Sequence, residues 1–350
     1  MKLLDFFNLT RGTAPYDVLG LGEVMLRLSP TDRERINQGA VFEKRIGGSE
    51  FNVLSCVSVL GGRCGLVTKL PDSELGTFVI GQVRSCGVTD EFIIRDPGKG
   101  ARLGVYYYEA GAAPRKSTVI YDRAASAVCG MTLSDIPARA FSAARVFHTS
   151  GITLALSPEC RRLVGEAMRR FREQGALISF DVNYRANQWG EEEARDTIRE
   201  ILPYVDLFFV SEESSRRMFG KTGTLEEIQK SYCEEYGIRM VATTQRTAKS
   251  PSQHDFGSVI YSAEEDRFYR GEPYRDIEVV DRVGSGDSYV GGVLSALCEG
   301  LSFGEAVERG NACAALKTTI MGDLPAFDRN DVRRIIDQHA RPDGQSEMNR

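Results

Sequence analysis

The feature that most constrains the fold of this chain is a regular alternation of short apolar strand patterns with helical patterns. Residues 17–22 form the first strand pattern, and 49–60 place apolar residues at helical spacing before two glycines. This order is typical of βαβ units, so we predict an α/β fold with a doubly wound, mostly parallel sheet. Further strands are predicted at 65–70, 92–95, 146–149, 177–181, 207–210 and 240–243, and helices at 76–86, 158–174, 191–202, 225–236, 285–300, 304–320 and 331–339.

One block interrupts the alternation. Residues 104–109, with the sequence Gly-Val-Tyr-Tyr-Tyr-Glu, and residues 117–122 are two strand patterns joined by a turn rich in Gly, Ala and Pro. Together with 41–46 they predict a small antiparallel sheet outside the main layer. The charged stretch 264–275 is predicted to be a hairpin or an exposed loop.

The composition excludes several classes of protein. The 350 residues carry 44 Lys and Arg against 49 Asp and Glu, and this balance argues against a dedicated nucleic-acid-binding protein. No apolar run reaches the roughly 20 residues that a membrane span requires, and the first residues do not resemble a signal peptide. The eight cysteines form no C-x-x-C pair and the three histidines are scattered, so no protein metal site is expected. We predict a cytoplasmic protein with unpaired core thiols.

The strongest local signal is the segment Gly284-Ser285-Gly286-Asp287, where a glycine-containing loop becomes a helix of small residues. Glycines allow a ligand to approach the backbone closely, and the exposed N–H groups of a first helical turn attract anions. Asp287 would repel a phosphate, but it would serve as a general base beside an anion hole. The alternative interpretation is an Asp favoured at a helix start by the helix dipole.

A second segment, Gly47-Gly48-Ser49-Glu50-Phe51-Asn52, also opens a helix after two glycines. Asn52 lies one turn into the helix and could offer a donor and an acceptor to a ligand hydroxyl, or it could be an ordinary exposed helix residue. Competing phosphate motifs are missing: there is no G-x-x-x-x-G-K-[ST], and Gly20-Leu-Gly22 lacks the third glycine of a dinucleotide fingerprint.

Taken together, these two glycine motifs and Asp281 resemble the ribokinase-like (PfkB) carbohydrate kinases over roughly residues 17–338. Within that family the chain is most similar to the 2-keto-3-deoxygluconate kinases. The segments that carry this likeness are Gly22-Glu23-Val-Met25-Leu-Arg27, Tyr121-Asp-Arg123-Ala-Ala-Ser126, His148-Thr-Ser-Gly151 and Asp181-Val-Asn183-Tyr-Arg185.

The resemblance implies a large domain that holds ATP and a small β lid, contributed by about 26–46 and 100–125, that closes over the sugar. Residues 1–16 would be a leader and 339–350 a polar tail. The implied roles are a catalytic base at Asp287, an anion hole at Gly284, Ser285 and Gly286, sugar contacts from Gly48, Asn52, Tyr106, Tyr121, Arg123 and Arg185, and nucleotide contacts from Thr243, Arg246 and Asn311. Two arginines suit an acidic sugar, because Arg forms bidentate hydrogen bonds with a carboxylate.

The chain departs from the family at one motif. Family members usually carry an Asn-x-x-Glu motif that organises Mg²⁺, whereas Ser211 and Ser214 stand at the matching positions here. Glu212 or Glu213 could substitute, with different side-chain directions. The polar stretch 247–256, predicted to be a loop, is also unusual beside a nucleotide.

These observations predict an ATP- and Mg²⁺-dependent kinase for the primary hydroxyl of a sugar acid, with 2-keto-3-deoxygluconate as the expected substrate and a 6-phosphate as the product. Two alternatives stay open: a kinase for a neutral sugar such as fructose or ribose, and a catalytically weakened sugar- or nucleotide-binding protein. The expected partners are the two small-molecule substrates, with no nucleic acid or membrane. A homodimer formed through the lid is a further expectation.

Overall fold

The computed structural model describes residues 1–112, 114–250 and 252–340 of the chain. The predicted tail at 339–350 lies outside the described residues except for its first two positions, which belong to the last helix. The described strands are β1 Tyr16–Leu21, β2 Met25–Pro30, β3 Phe42–Gly47, β4 Cys64–Pro71, β5 Ile93–Asp96, β6 Val105–Glu109, β7 Thr118–Asp122, β8 Ala144–Ser150, β9 Leu177–Asp181, β10 Leu207–Ser211, β11 Met240–Ser250, β12 Gln253–Ser262, β13 Arg267–Arg270 and β14 Tyr274–Glu278. The described α-helices are α1 Leu3–Leu9, α2 Ser49–Val59, α3 Glu74–Ser85, α4 Gly151–Ala155, α5 Pro158–Glu173, α6 Glu191–Ile201, α7 Glu212–Arg217, α8 Leu225–Tyr236, α9 Ser285–Cys298, α10 Phe303–Thr318 and α11 Arg329–Ala340.

The main sheet has the strand order β13-β12-β11-β10-β9-β8-β1-β4-β5, and β14 also pairs with β12. The strands from β11 to β5 in this order run parallel, and β12 to β14 add an antiparallel edge. This confirms the predicted fold class. The parallel strands bring their carboxyl ends to one edge, which is where open α/β sheets bind ligands.

A separate four-stranded sheet has the order β3-β2-β6-β7. The antiparallel pairing of β6 with β7 and the place of β3 in this sheet were predicted. The strand β2 was not predicted, and it pairs antiparallel with β3 and parallel with β6. The sequence pattern missed this parallel pairing because β2 and β6 are far apart in the chain and register between them is not a local property.

Helices cover both faces of the main sheet, and successive strand residues point to opposite faces. Val18 belongs to the core on one face, which includes side chains from α2, α9 and α10, and Leu19 belongs to the core on the other, which includes side chains from α5, α6 and α8. In the second core Phe147 stacks on Phe171 at 4.2 Å between ring centroids. All eight cysteines are free thiols. None of the described helices combines the length and apolar composition needed to cross a bilayer.

Two regions differ from the sequence-based expectation. The leader contains the helix α1, whose Leu3, Phe6 and Phe7 are buried. In the stretch expected to be a polar loop at 247–256, residues 247–250 belong to β11 and 253–256 to β12, and Thr247 pairs with Asp255. The exposed residues of these strand ends are largely polar, so they lack the apolar alternation on which the strand prediction depends.

Candidate active site

A cleft of about 930 Å³ lies between the carboxyl edge of the main sheet and the small sheet. It is lined by the starts of α2 and α9, by residues at or after the ends of β9 and β10, by residues 244–247 in the middle of β11, and by the small sheet. The predicted site residues that line it are Gly48, Asn52, Tyr106, Tyr121, Arg123, Arg185, Arg246, Gly284, Ser285, Gly286 and Asp287. The long-range pairing of the strands therefore brings both glycine motifs into one cavity.

Asp287, in the first turn of α9, is nearly buried and accepts hydrogen bonds on both carboxylate oxygens. Asn52 Nδ2 donates to Oδ2 at 2.7 Å, and Ser49 Oγ donates to Oδ1 at 2.9 Å. Asn183 Nδ2 donates to Oδ1 at 3.2 Å and also to Ser49 Oγ at 2.6 Å. These donors are all neutral, and together they fix the orientation of the carboxylate.

The loop from Asp281 to Gly286, called the anion loop below, leads into α9. Gly284 has a φ of +81°, and a Cβ there would lie 2.0 Å from the carbonyl oxygen of Asp323, so only glycine fits. The Ser285 N–H already donates to the Arg282 carbonyl at 3.3 Å. The Gly286 N–H has no acceptor among the described residues. Apart from its chain neighbours and the backbone of its own helix, no heavy atom among the described residues lies within 4 Å of the position that a Cβ of Gly286 would take. The loop is thus open to an anion at Gly286.

Arg123 and Tyr121, predicted to contact an acidic sugar, lie at the small-sheet side of the cleft. Arg123 forms a buried ion pair with Glu23, its Nε lying 2.7 Å from Glu23 Oε2. Its guanidinium also lies 5.5 Å from the ring centroid of Tyr121. The positive charge of Arg123 is therefore largely neutralised by the protein itself.

Tyr106 has a protein partner as well. Its hydroxyl donates to Asp323 Oδ2 at 2.6 Å, and its ring lies 5.8 Å from that of Tyr121. Burial, with the nearby negative charge of Asp323, holds the pKa of Tyr106 well above its usual range. The phenol is a neutral donor already engaged by the protein.

Arg185 differs from Arg123 because no carboxylate pairs with it among the described residues. Its Nη1 donates to the carbonyl of Tyr184 at 3.1 Å. Because no carboxylate neutralises it, Arg185 is the cleft arginine with the greatest capacity for an anionic ligand on the sugar side.

Asp181 also lies near Arg185. Burial and the charge of Asp287 raise the pKa of Asp181 to about 7, although Arg185 opposes this shift.

Of the three residues predicted to contact the nucleotide, only one lines the cleft. Arg246 faces the cleft. The pKa of its guanidinium is lowered by loss of solvent around it and by the positive charges of Arg282 and Arg185. Thr243 and Asn311 lie outside the lining and are fully buried. Gln229 donates to the Thr243 hydroxyl at 3.1 Å, and Ser258 donates to Asn311 Oδ1 at 2.6 Å.

The segment that departs from the family motif begins α7. Ser211 caps this helix: its Oγ accepts from the Ser214 N–H at 3.0 Å and donates to Ser214 Oγ at 2.8 Å. Glu212 bonds to Arg216 and Gln245, and Glu213 is 81% exposed. Both residues line the cleft, but only Glu212 is bonded to Gln245 from β11.

Three contact residues were not assigned a role from the sequence: Ser49, Asn183 and Glu23. Asn183 stands two residues after the end of β9, and this position at a strand end was a usable signal. It also adopts a positive φ of 36°, which Asn tolerates better than most residues. Glu23 carried no such signal, because its partner Arg123 is 100 positions away.

Comparison with known proteins agrees with this geometry. Residues 17–327 match the pfkB family of carbohydrate kinases. A 2-dehydro-3-deoxygalactonokinase from Haloferax volcanii is 34% identical over 320 residues, covering 91% of this chain and 96% of the relative. Fructokinase-1 from Zea mays is 29% identical over 331 residues, covering 92% and 98%.

Among solved structures, a 2-dehydro-3-deoxygluconokinase from Thermotoga maritima superimposes with a TM-score of 0.86 at 32% identity. The match covers 92% of this chain and 99% of that one. The family match, the relatives and the superimposed fold agree with one another. The chain therefore belongs to the pfkB family of carbohydrate kinases, and it is a phosphotransferase.

Proposed function

We propose that this sugar kinase transfers the terminal phosphoryl group of ATP to the primary hydroxyl of a sugar acid, with 2-keto-3-deoxygluconate as the preferred substrate and its 6-phosphate as the product. The observation that carries the proposal is the Asp287 carboxylate, held by three neutral donors beside the open end of the anion loop. The names of the Haloferax and Thermotoga relatives support the substrate class.

In the proposed reaction, Asp287 takes the proton of the substrate hydroxyl as its oxygen bonds to the γ-phosphorus. The bond from that phosphorus to the β–γ bridging oxygen breaks, and ADP leaves with the electron pair. The Gly286 N–H and the dipole of α9 would stabilise the charge on the transferring group. The small sheet would act as a lid that excludes water during this step.

We assign the carboxylate of the substrate to Arg185. A guanidinium bonded only to main-chain carbonyls gains most from an anionic partner, since charge-assisted bidentate bonds are the stronger kind. Tyr106, Tyr121, Arg123, Gly48 and Asn52 would shape the rest of the sugar pocket. In this arrangement Arg123, already paired with Glu23, orients the sugar more than it attracts it.

ATP fits the other half of the cleft, where Arg246 and Arg282 supply positive charge near the anion loop. Thr243 and Asn311 would support the wall of the nucleotide site from beneath. Mg²⁺ would neutralise phosphate charge when bound with ATP. No step of the proposed mechanism depends on a protein ligand to the metal.

We also propose a homodimer formed through the small sheet. Val41, Val119 and Ile120 are exposed apolar side chains on or next to its two edge strands, β3 and β7. Exposed apolar residues on an edge strand favour association. Light scattering should give a dimer mass for the wild type and a monomer mass for Ile120→Glu, and a wild-type monomer would exclude the dimer.

A neutral-sugar kinase is the second candidate, and one observation favours it. Glu23 neutralises Arg123, so one of the two predicted carboxylate-binding arginines is already satisfied. The Zea mays fructokinase also matches nearly the whole chain.

The test is ADP release with Mg-ATP and a panel of 2-keto-3-deoxygluconate, 2-keto-3-deoxygalactonate, gluconate, fructose and ribose. Turnover with a keto-deoxy acid at a kcat/KM at least about tenfold above that for fructose supports the proposal. A preference for fructose or ribose would identify a neutral-sugar kinase. Binding of ATP or sugar by calorimetry without turnover on any sugar would favour a weakened binding protein.

A further inference from the structure

Four charged side chains lie together beneath the anion loop, each less than a tenth exposed: Arg27, Asp281, Asp323 and Lys317. Arg27, from β2, bridges the two carboxylates, with Nη2 2.5 Å from Asp281 Oδ2 and Nη1 2.7 Å from Asp323 Oδ1. The group contains two cations and two anions, so its formal charge is zero. We call these four residues the buried charge cluster.

Lys317 is the member without an ion-pair contact. It extends from the last turn of α10, and its side chain is 0% exposed. Its Nζ donates to the carbonyl of Asp281 at 3.2 Å and to the carbonyl of Ile320 at 2.9 Å. A buried ammonium is costly unless it is compensated. Two carbonyl contacts and the nearby carboxylates supply that compensation here.

Asp281, the first residue of the anion loop, is the part of the loop that this ammonium contacts. Its carboxylate accepts from the Val283 N–H at 3.0 Å and from the Gly322 N–H at 3.0 Å, and its carbonyl is the one that Lys317 contacts. Gly284, three residues further on, lies against the main chain of Asp323. The loop that would receive the transferring phosphate is therefore held in place from beneath by the buried charge cluster.

We propose, resting on the kinase function above, that Lys317 is a positioning residue whose fixed ammonium holds the anion loop through the Asp281 carbonyl and cancels the second buried negative charge beneath it. Without this cation the cluster carries a net charge of −1 directly under a loop that must bind an anion. The phosphoryl group would then be repelled during transfer, in the region where its charge should be stabilised.

The titration of Lys317 gives an independent readout. The charged groups that face it are Asp281, Asp287 and Asp323, which favour its protonated form, and Arg27 from β2, which opposes it. Burial is the largest influence and lowers the pKa of Lys317 to about 8. The unfolded chain keeps a lysine pKa of about 10.4, so the folded protein binds fewer protons between these values. Deprotonation of Lys317 should thus weaken anion binding. The contribution of Lys317 to the free energy of unfolding should rise with pH over the same range.

The first experiment compares the wild type with Lys317→Met, which keeps the volume of the side chain and removes its charge. Mg-ATP affinity is measured by calorimetry, and kcat and KM are measured on whichever sugar of the panel is turned over. We expect kcat to fall at least about tenfold and the Mg-ATP Kd to rise, while the sugar KM changes by less than about threefold. Lys69→Met is the control, because Lys69 is a partly buried, ion-paired lysine that does not line the cleft.

Lys317→Ala leaves space for a small cation, and methylammonium should restore part of the lost activity. Tetramethylammonium, which has no N–H donor, should not. If Lys317→Met does not fold, the wild type alone still provides a test. Its Mg-ATP affinity should fall above about pH 8, where the charge of ATP is constant, without a matching fall in melting temperature.

Three results would overturn the proposal: a kcat for Lys317→Met within twofold of the wild type, equal losses in ATP and sugar affinity, or a flat wild-type ATP affinity between pH 7.5 and 9.5. These outcomes differ from failure of the sugar-acid assignment. That failure would appear only in the substrate panel and would leave the comparison of Mg-ATP binding intact.

Discussion

The Nε of Arg123 lies 2.7 Å from a carboxylate oxygen of Glu23, although the two residues are 100 positions apart in the chain. A surface arginine would be free to attract a substrate anion, but this one is buried against a carboxylate of the same protein. Arg185, by contrast, bonds only to main-chain carbonyls among the described residues, and for this reason the proposed function assigns the substrate carboxylate to it. This division between the two arginines leads to the first prediction.

Replacing Arg185→Gln should raise the KM for 2-keto-3-deoxygluconate at least about tenfold, because a charge-assisted hydrogen bond is lost. The KM for fructose should change by less than about threefold. Steady-state kinetics on both sugars measure the difference. Arg139→Gln is the control, since Arg139 pairs with Glu91 outside the cleft. Equal losses on both sugars would mean that Arg185 does not recognise the carboxylate.

Replacing Asp287→Asn should lower kcat by about 10²- to 10⁴-fold, because an amide cannot take the proton of the sugar hydroxyl. The free energy of unfolding should change by no more than about 2 kcal/mol, since the side chain keeps its size and most of its contacts. ADP release and urea unfolding measure the two quantities. Asp90→Asn, which removes an exposed ion pair with Arg84, should leave kcat unchanged. Wild-type turnover in Asp287→Asn would exclude this base.

The pKa of Asp181, raised to about 7, predicts a dependence of stability on pH. The folded protein binds this proton more tightly than the unfolded chain, whose Asp pKa is about 3.9. The stability gained from protonated Asp181 is therefore present below about pH 4 and is lost as the pH rises to about 7. Asp181→Asn cannot ionise, so its melting temperature should gain on that of the wild type between pH 4 and 8. A constant difference across this range would contradict the shift.

Restoring the acidic motif with Ser211→Asn and Ser214→Glu should lower the Mg²⁺ concentration that gives half-maximal turnover. A carboxylate at position 214, in the first turn of α7, would add an oxygen ligand on the nucleotide side of the cleft. Asn can still cap α7, so the helix should persist. The matched control is Ser211→Asn with Ser214→Gln, which has the same shape without the charge. If both double variants need as much Mg²⁺ as the wild type, the serines are not a deficit in metal handling.

Arg27 and Arg45 are directly paired across β2 and β3, yet their burial differs sharply. Arg27→Met should destabilise the protein by about 3–5 kcal/mol, because it leaves Asp281 and Asp323 without their buried partner. Arg45→Met removes an exposed pair with Glu43 and should cost no more than about 1 kcal/mol. Urea unfolding of both variants measures the contrast. Similar values for the two would mean that the buried charge cluster adds little stability.

The sequence by itself predicted the features that depend on neighbouring residues. The alternation of strand and helix patterns determined the doubly wound sheet, because the hydrophobic period of each element is a local property. The glycines before α2 and α9 identified both ends of the candidate site for the same reason. Lys317 gave no signal of its own in the sequence, because α10 also carries Glu305, Glu308 and Arg309 and the partners of Lys317 are not its neighbours in the chain.

Which polar and charged side chains contact one another depends on the tertiary structure. Glu23 neutralises Arg123, Asn183 contacts Asp287 from 104 positions away, and Lys317 reaches the Asp281 carbonyl across 36 positions. The parallel pairing of β2 with β6 belongs to the same class, because strand register between distant segments depends on the whole sheet. Hydrogen bonds and ion pairs act over a few ångströms of space regardless of distance along the chain. The residues that orient Asp287 and support the anion loop therefore became identifiable only once the strands had placed them together.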